Sequence, residues 1–117
     1  NNRGNAKKRI EDYYGAIEDF TKAIELDSTD SFAFYNRGNS KLELKNYYGA
    51  ISDYNRVLNI DPSNPRISDV YSNLGLAKYN LGDREGACAD YKLAIVKGDQ
   101  ELNKWLISKD GLWCRNM

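Results

Sequence analysis

Internal repetition is the property that most limits what this chain can fold into. Residues Asn2 to Asp30, NRGNAKKRIEDYYGAIEDFTKAIELDSTD, align without a gap with Asn36 to Asn64, NRGNSKLELKNYYGAISDYNRVLNIDPSN. Gly4 and Gly38 set the period at 34 residues, and a more diverged third copy starts at Asn73, with Gly75 lying 37 residues after Gly38. The added residues fall between Pro62 and Ser68, where two prolines bracket Ser63 and Asn64 and no helical pattern continues. A unit of this size cannot bury its apolar face alone, so the copies must stack.

Each copy reads as a pair of helices. In the second helix Tyr13, Ala16, Ile17, Phe20, Ala23 and Ile24 fall at helical spacing on one face, with Glu18, Asp19, Lys22 and Glu25 opposite. Tyr47, Ala50, Ile51, Tyr54, Val57 and Leu58 repeat the stripe, as do Ala87, Cys88, Tyr91, Ala94 and Ile95. The first helix carries Gly4, Gly38 or Gly75 at a fixed phase. A mid-helix glycine costs about 1 kcal/mol against alanine, and the expected compensation is close approach of the second helix near Ala16, Ala50 or Ala87. Ser31, Ser68 and Asp99 are the expected N-caps. The chain divides into repeats 1–30, 31–67 and 68–98 followed by a cap at 99–117, one domain in all. The cap starts as a helix with Leu102, Trp105 and Leu106. Trp105 and Trp113 are expected to cover the third repeat in preference to anchoring a partner.

Composition narrows the function. Seventeen basic and seventeen acidic residues give zero formal charge, with no excess of cations for phosphate, so nucleic acid is not an expected partner. The Lys7-Lys8-Arg9 run is balanced by Glu11, Asp12, Glu18 and Asp19 nearby. Histidine is absent, which removes the commonest acid/base group and metal ligand. The pairs Glu11/Asp12 and Glu18/Asp19 are adjacent in a helix and do not converge on one substrate. Cys88 lies on an apolar stripe with no histidine to activate it. The expectation is therefore no enzyme, no cofactor and no metal. Cys88 and Cys114 form no zinc motif and are expected as free thiols in a reducing, cytoplasmic setting in preference to a disulfide. No run approaches a membrane span, and no secretory leader precedes the repeats, although the chain starts at Asn1 without a methionine.

With a 34-residue period, paired helices, Gly in the first helix, the Tyr-x-x-Ala-Ile-x-x-Tyr/Phe-x-x-Ala/Val stripe in the second and Asp61-Pro62 at a boundary, the chain resembles the tetratricopeptide repeat (TPR) family. Lys45 and Glu11 stand where that family usually has a turn glycine, which Gly82 keeps. The ending, with Trp105 and Trp-Cys-Arg-Asn-Met, is similar to that of small bacterial TPR proteins. The resemblance implies an all-α fold, a short right-handed α-solenoid of about three helix-turn-helix units plus a capping helix. It also implies a protein-protein interaction module whose first helices line a concave groove. The groove residues it implies are Asn5, Lys8 and Arg9; Tyr35, Asn36, Asn39 and Leu42; and Asn73, Leu76, Tyr79 and Asn80. An asparagine ladder there suits the amides of an extended peptide. The five places that grip acidic chaperone tails in TPR co-chaperones hold Asn1, Asn5, Asn36, Asp69 and Asn73, with no cation, so such tails are not expected to bind. Self-association and, below it, RNA binding by a helical repeat are the alternatives.

Overall fold

The computed structural model describes the backbone of residues 2–115 and the side chains of residues 9–108 and 110–114. It is all α-helical among these residues and forms two compact units, Asn1–Asp61 and Pro62–Met117. The first holds α1 (Asn2–Leu26), α2 (Ser31–Glu43) and α3 (Tyr47–Ile60). The second holds α4 (Ile67–Asn80), α5 (Arg84–Val96), α6 (Gln100–Ile107), a 3-10 turn (Lys109–Gly111) and α7 (Leu112–Arg115). None of the described helices is long and apolar enough to cross a membrane.

The repeat stripes become the cores. Ala50, Tyr54 and Val57 of α3 are fully buried against α2, and Ala87, Cys88 and Ala94 of α5 are buried against α4 around Val70, Leu74 and Ala77. Burying a side chain such as Val57 or Leu74 contributes about 1.5–3 kcal/mol before chain entropy is counted. At Gly75 the expected close approach to Ala87 is present, and at both Gly38 and Gly75 a tyrosine ring is the nearer neighbour. A Cβ on Gly38 would lie 3.0 Å from Tyr54 Cε1, and one on Gly75 would lie 2.6 Å from Tyr91 Cδ1 and 3.1 Å from the Ala87 carbonyl. Each glycine thus makes room for a tyrosine ring, while Ala50 and Ala87 let the helix backbones close. Gly4 lies outside the described side-chain region.

The hairpin turns show why one repeat departs from the pattern. Lys45 adopts φ 62° and Gly82 φ 88°, and the next residue, Asn46 or Asp83, caps the following helix by accepting from Gly49 N at 3.1 Å or Gly86 N at 2.9 Å. In the first repeat the corresponding Glu11 stays helical and α1 runs through the expected turn as one 25-residue helix. A residue with a Cβ pays about 1 kcal/mol or more in the left-handed region. The second repeat has Leu42 and Leu44 half-buried at its hairpin, where the first has Lys8 and the exposed Ile10, so the first has less apolar surface to gain from turning and its helix continues. Lys45→Gly is accordingly expected to raise unfolding stability by about 0.5–1 kcal/mol. Urea titration checks this, and a variant no more stable than the parent would show that Lys45 carries no strain.

Capping also differs in detail. Asp30, not Ser31, caps α2, its carboxylate accepting from Ala33 N at 3.1 Å. Ser31 is the first helical residue, one position too late to reach the free amides. At α4 Asn64 organises the entry by accepting from Arg66 N at 2.8 Å, and Ser68 instead donates to the Ala94 carbonyl of α5 at 3.0 Å. Asp99 caps α6 as expected, accepting from Leu102 N at 2.9 Å.

Candidate partner-binding site

In the first unit the expected groove residues divide by which way α2 turns them. Tyr35 is buried, its ring 6.3 Å from that of Tyr54, and Asn39 accepts a hydrogen bond from the Tyr54 hydroxyl at 2.5 Å. Both face α3 and hold the hairpin together. Asn36 is half-buried and donates Nδ2 to the Phe32 carbonyl one turn earlier at 2.9 Å. An amide has two donor hydrogens and an acceptor oxygen, so one such bond does not exhaust it. Leu42 is half-buried and Arg9 exposed. The side chains of Asn5 and Lys8 lie outside the described residues.

The same hairpin contains a charged cluster that composition alone does not reveal. Asp53, 2% exposed, accepts a two-point hydrogen bond from Arg37, with Nε at 2.9 Å and Nη2 at 2.7 Å, and Lys41 Nζ lies 3.2 Å from it. Arg37 also donates to Thr21 Oγ1 of α1 at 3.3 Å. Hydrogen bonding to Asp53 holds the Arg37 guanidinium above its ordinary pKa. One repeat later Lys78 and Asp90 keep the pair at 2.7 Å, but Leu74 replaces the arginine. Burial there pushes the Asp90 carboxyl up, against the opposing pull of Lys78. The legible signal was a Lys-Asp spacing of twelve that recurs across two hairpins.

The second unit carries an open cleft of about 500 Å³. Ser72, Leu76 and Tyr79 of α4 form one side, and Tyr91 of α5 contributes a further wall. Leu102, Trp105, Asp110 and Trp113 complete it. Its rings form a chain of contacts, Tyr91 to Trp105 at 5.4 Å, Trp105 to Trp113 at 5.7 Å and Trp113 to Tyr79 at 5.5 Å. The two tryptophans therefore cover α5, as expected of a cap, and at the same time leave an aromatic recess. Leu76 and Tyr79 line it, each 43% exposed. Asn80 is exposed and donates to the Leu76 carbonyl at 2.8 Å, and Asn73 is half-buried. Burial pushes the Tyr91 phenol up, with Tyr79 and Asp90 adding to the effect, so its proton stays on the oxygen.

The cysteines overturn the expectation of free thiols. Cys88 and Cys114 form a disulfide, their Cα atoms 5.3 Å apart. The C-terminal turn brings α7 back onto α5, a return that no periodicity in the sequence announces. Cys114 is fully buried, and its neighbour Trp113 is thereby fixed at the cleft.

Family profiles described as "TPR repeat" and "Tetratricopeptide repeat" match residues 38–82 and 1–30. The chain belongs to the tetratricopeptide repeat family. Its fold is that of TPR domains, the helical solenoid class. It is similar to the Arabidopsis OM64 TPR domain, with 26% identity and TM-score 0.72 over 97% of this chain and 85% of that one. It is also similar to the second TPR domain of human RPAP3, solved in complex with the HSP70 peptide SGPTIEEVD, at 22% identity and TM-score 0.74 over 97% and 90%. The first TPR of Spaghetti (RPAP3), bound to the HSP90 peptide SRMEEVD, gives 23% and 0.75 over 98% and 86%. No curated protein matches the chain.

Proposed function

We propose that this TPR domain is a non-catalytic interaction module that holds a segment of a partner protein against its first helices. The observation that carries the reading is the exposure of Leu76 and Tyr79 on α4, at the aromatic cleft, where a partner side chain laid against them would take their apolar surface out of water. On the same helix Asn80 supplies an amide for main-chain hydrogen bonds. The bridge at Cys88 leaves that sulfur no thiolate to act as a nucleophile. It also favours an oxidising compartment over the cytoplasm.

The partner segment is not an acidic tail. The peptides bound by the two RPAP3 domains end in Glu-Glu-Val-Asp. Of the five tail-gripping places, Asn36, Asp69 and Asn73 are described here, none is a cation, and Asp69 is exposed. A carboxylate would lose its charge-assisted partners and meet a like charge.

Capture of partners from the source cell by immobilised protein tests this reading. The double variant Leu76→Ser/Asn80→Ala is expected to lose a saturable partner that the parent retains, about tenfold or more, with unchanged helical circular dichroism. A partner set indifferent to both changes would remove α4 as the contact surface.

A further inference from the structure

We infer that the cleft of the second unit is a receptor for a cationic side chain, so that the partner segment presents a guanidinium or ammonium there. This deepens the reading above and rests on it only for the statement that the cation belongs to a protein. The aromatic walls are contributed by Tyr79, Tyr91, Trp105 and Trp113, and the ring pairs made by Trp105 with Tyr91 and with Trp113 are steeply inclined, at 67° and 70°. Inclined rings present π-electron density from more than one direction to a single guest, which attracts a cation and repels a carboxylate. Among the described residues the charged one lining the cleft is Asp110, an exposed carboxylate, whose charge complements the guest. Asp69, also exposed, precedes Ser72, Leu76 and Tyr79 at helical spacing on α4 and extends the acidic character of that face.

The nearby cation is the argument to overcome. Arg84 does not line the cleft, but its guanidinium lies 6.0 Å from the Tyr79 ring centroid and 5.9 Å from that of Trp113. The arrangement shows that these rings already accept a guanidinium, and Arg84 is exposed, so its repulsion of a second cation is screened by water and salt. An acidic guest would require the opposite balance, with the arginine inside and the aspartate outside.

The chain's two tryptophans are both in this cleft, so tryptophan fluorescence, excited selectively over the nine tyrosines, reports on it. Acetylated, amidated Gly-Arg-Gly, Gly-Lys-Gly and Gly-trimethyllysine-Gly are titrated against the full chain, with the neutral citrulline and norleucine peptides as shape controls. A saturable tryptophan change is expected with at least one cationic peptide, about tenfold tighter than with its neutral counterpart. Asp110→Asn, on the exposed rim, is expected to weaken that binding several-fold, and Arg84→Gln to leave it equal or tighter. Equal affinity for citrulline or norleucine, tightening by Asp110→Asn with weakening by Arg84→Gln, or no response to any cation at millimolar peptide would each overturn the assignment. None of those results touches partner capture, which tests the interaction reading separately.

Discussion

Replacing Asp53 by asparagine is expected to lower the free energy of unfolding by about 3 kcal/mol or more. The side chain is 2% exposed and is the shared counter-charge of Arg37 and Lys41, which are themselves only 17% and 19% exposed. Removing the carboxylate leaves two poorly hydrated cations side by side, and that residual repulsion and desolvation is the larger part of the loss. The amide can still accept one hydrogen bond from Arg37, so Asp53→Ala should cost more. Substituting all three together, Asp53→Leu with Arg37→Met and Lys41→Met, should recover most of the stability, because the penalty lies in unpaired charge and not in missing attraction. Asp90→Asn gives the internal comparison. Asp90 has one ammonium partner and a carboxyl that burial already pushes up, so less favourable interaction is lost. Urea denaturation of the four variants decides it. An Asp53→Asn loss below 1 kcal/mol, or one no larger than that of Asp90→Asn, would show that the cluster is solvated.

Reducing the Cys88–Cys114 bridge, or changing Cys114 to serine, is expected to cost about 3 kcal/mol in the second unit. The bridge spans 26 residues of sequence, long enough that releasing it restores substantial freedom to the unfolded chain. Cys114→Ser also places a hydroxyl where a fully buried sulfur stood. The local signature should be distinctive. Trp113 is adjacent to the bridge and packs on Trp105, so reduction should red-shift tryptophan emission before global unfolding. Differential scanning calorimetry with and without a phosphine reductant, together with emission spectra, measures both effects. Unchanged melting on full reduction, verified by thiol titration, would mean that packing alone holds α7.

Much of this architecture is legible before any coordinates. The repeat period, the stripes from Tyr47 and Ala87, and the glycines at 38 and 75 fix the helix pairs, because side-chain periodicity and close approach are local properties of a helix. What escapes is set by balances or by distant residues. Whether α1 breaks at Glu11 depends on a turn cost near 1 kcal/mol set against burial elsewhere, and a repeat alignment weighs the first without the second. Tyr35 and Asn39 share a helix with Asn36, yet packing against Tyr54 turns them inward, a fact about α3 and not about α2. The disulfide depends on where the chain turns after Ser108, beyond the reach of any repeat.

The bridge has a geometric consequence for the cleft. From Cys88 to Cys114 the backbone and the sulfur link together form a closed ring, and Tyr91, Leu102, Trp105, Asp110 and Trp113 all lie within it. Most of the cleft's described lining thus belongs to one covalent macrocycle, and Ser72, Leu76 and Tyr79 of α4 complete it. Cyclic receptors bind well chiefly because their walls are assembled before the guest arrives, so little ordering entropy is lost on association. Here a single covalent link gives a stretch of natural polypeptide that same preorganisation.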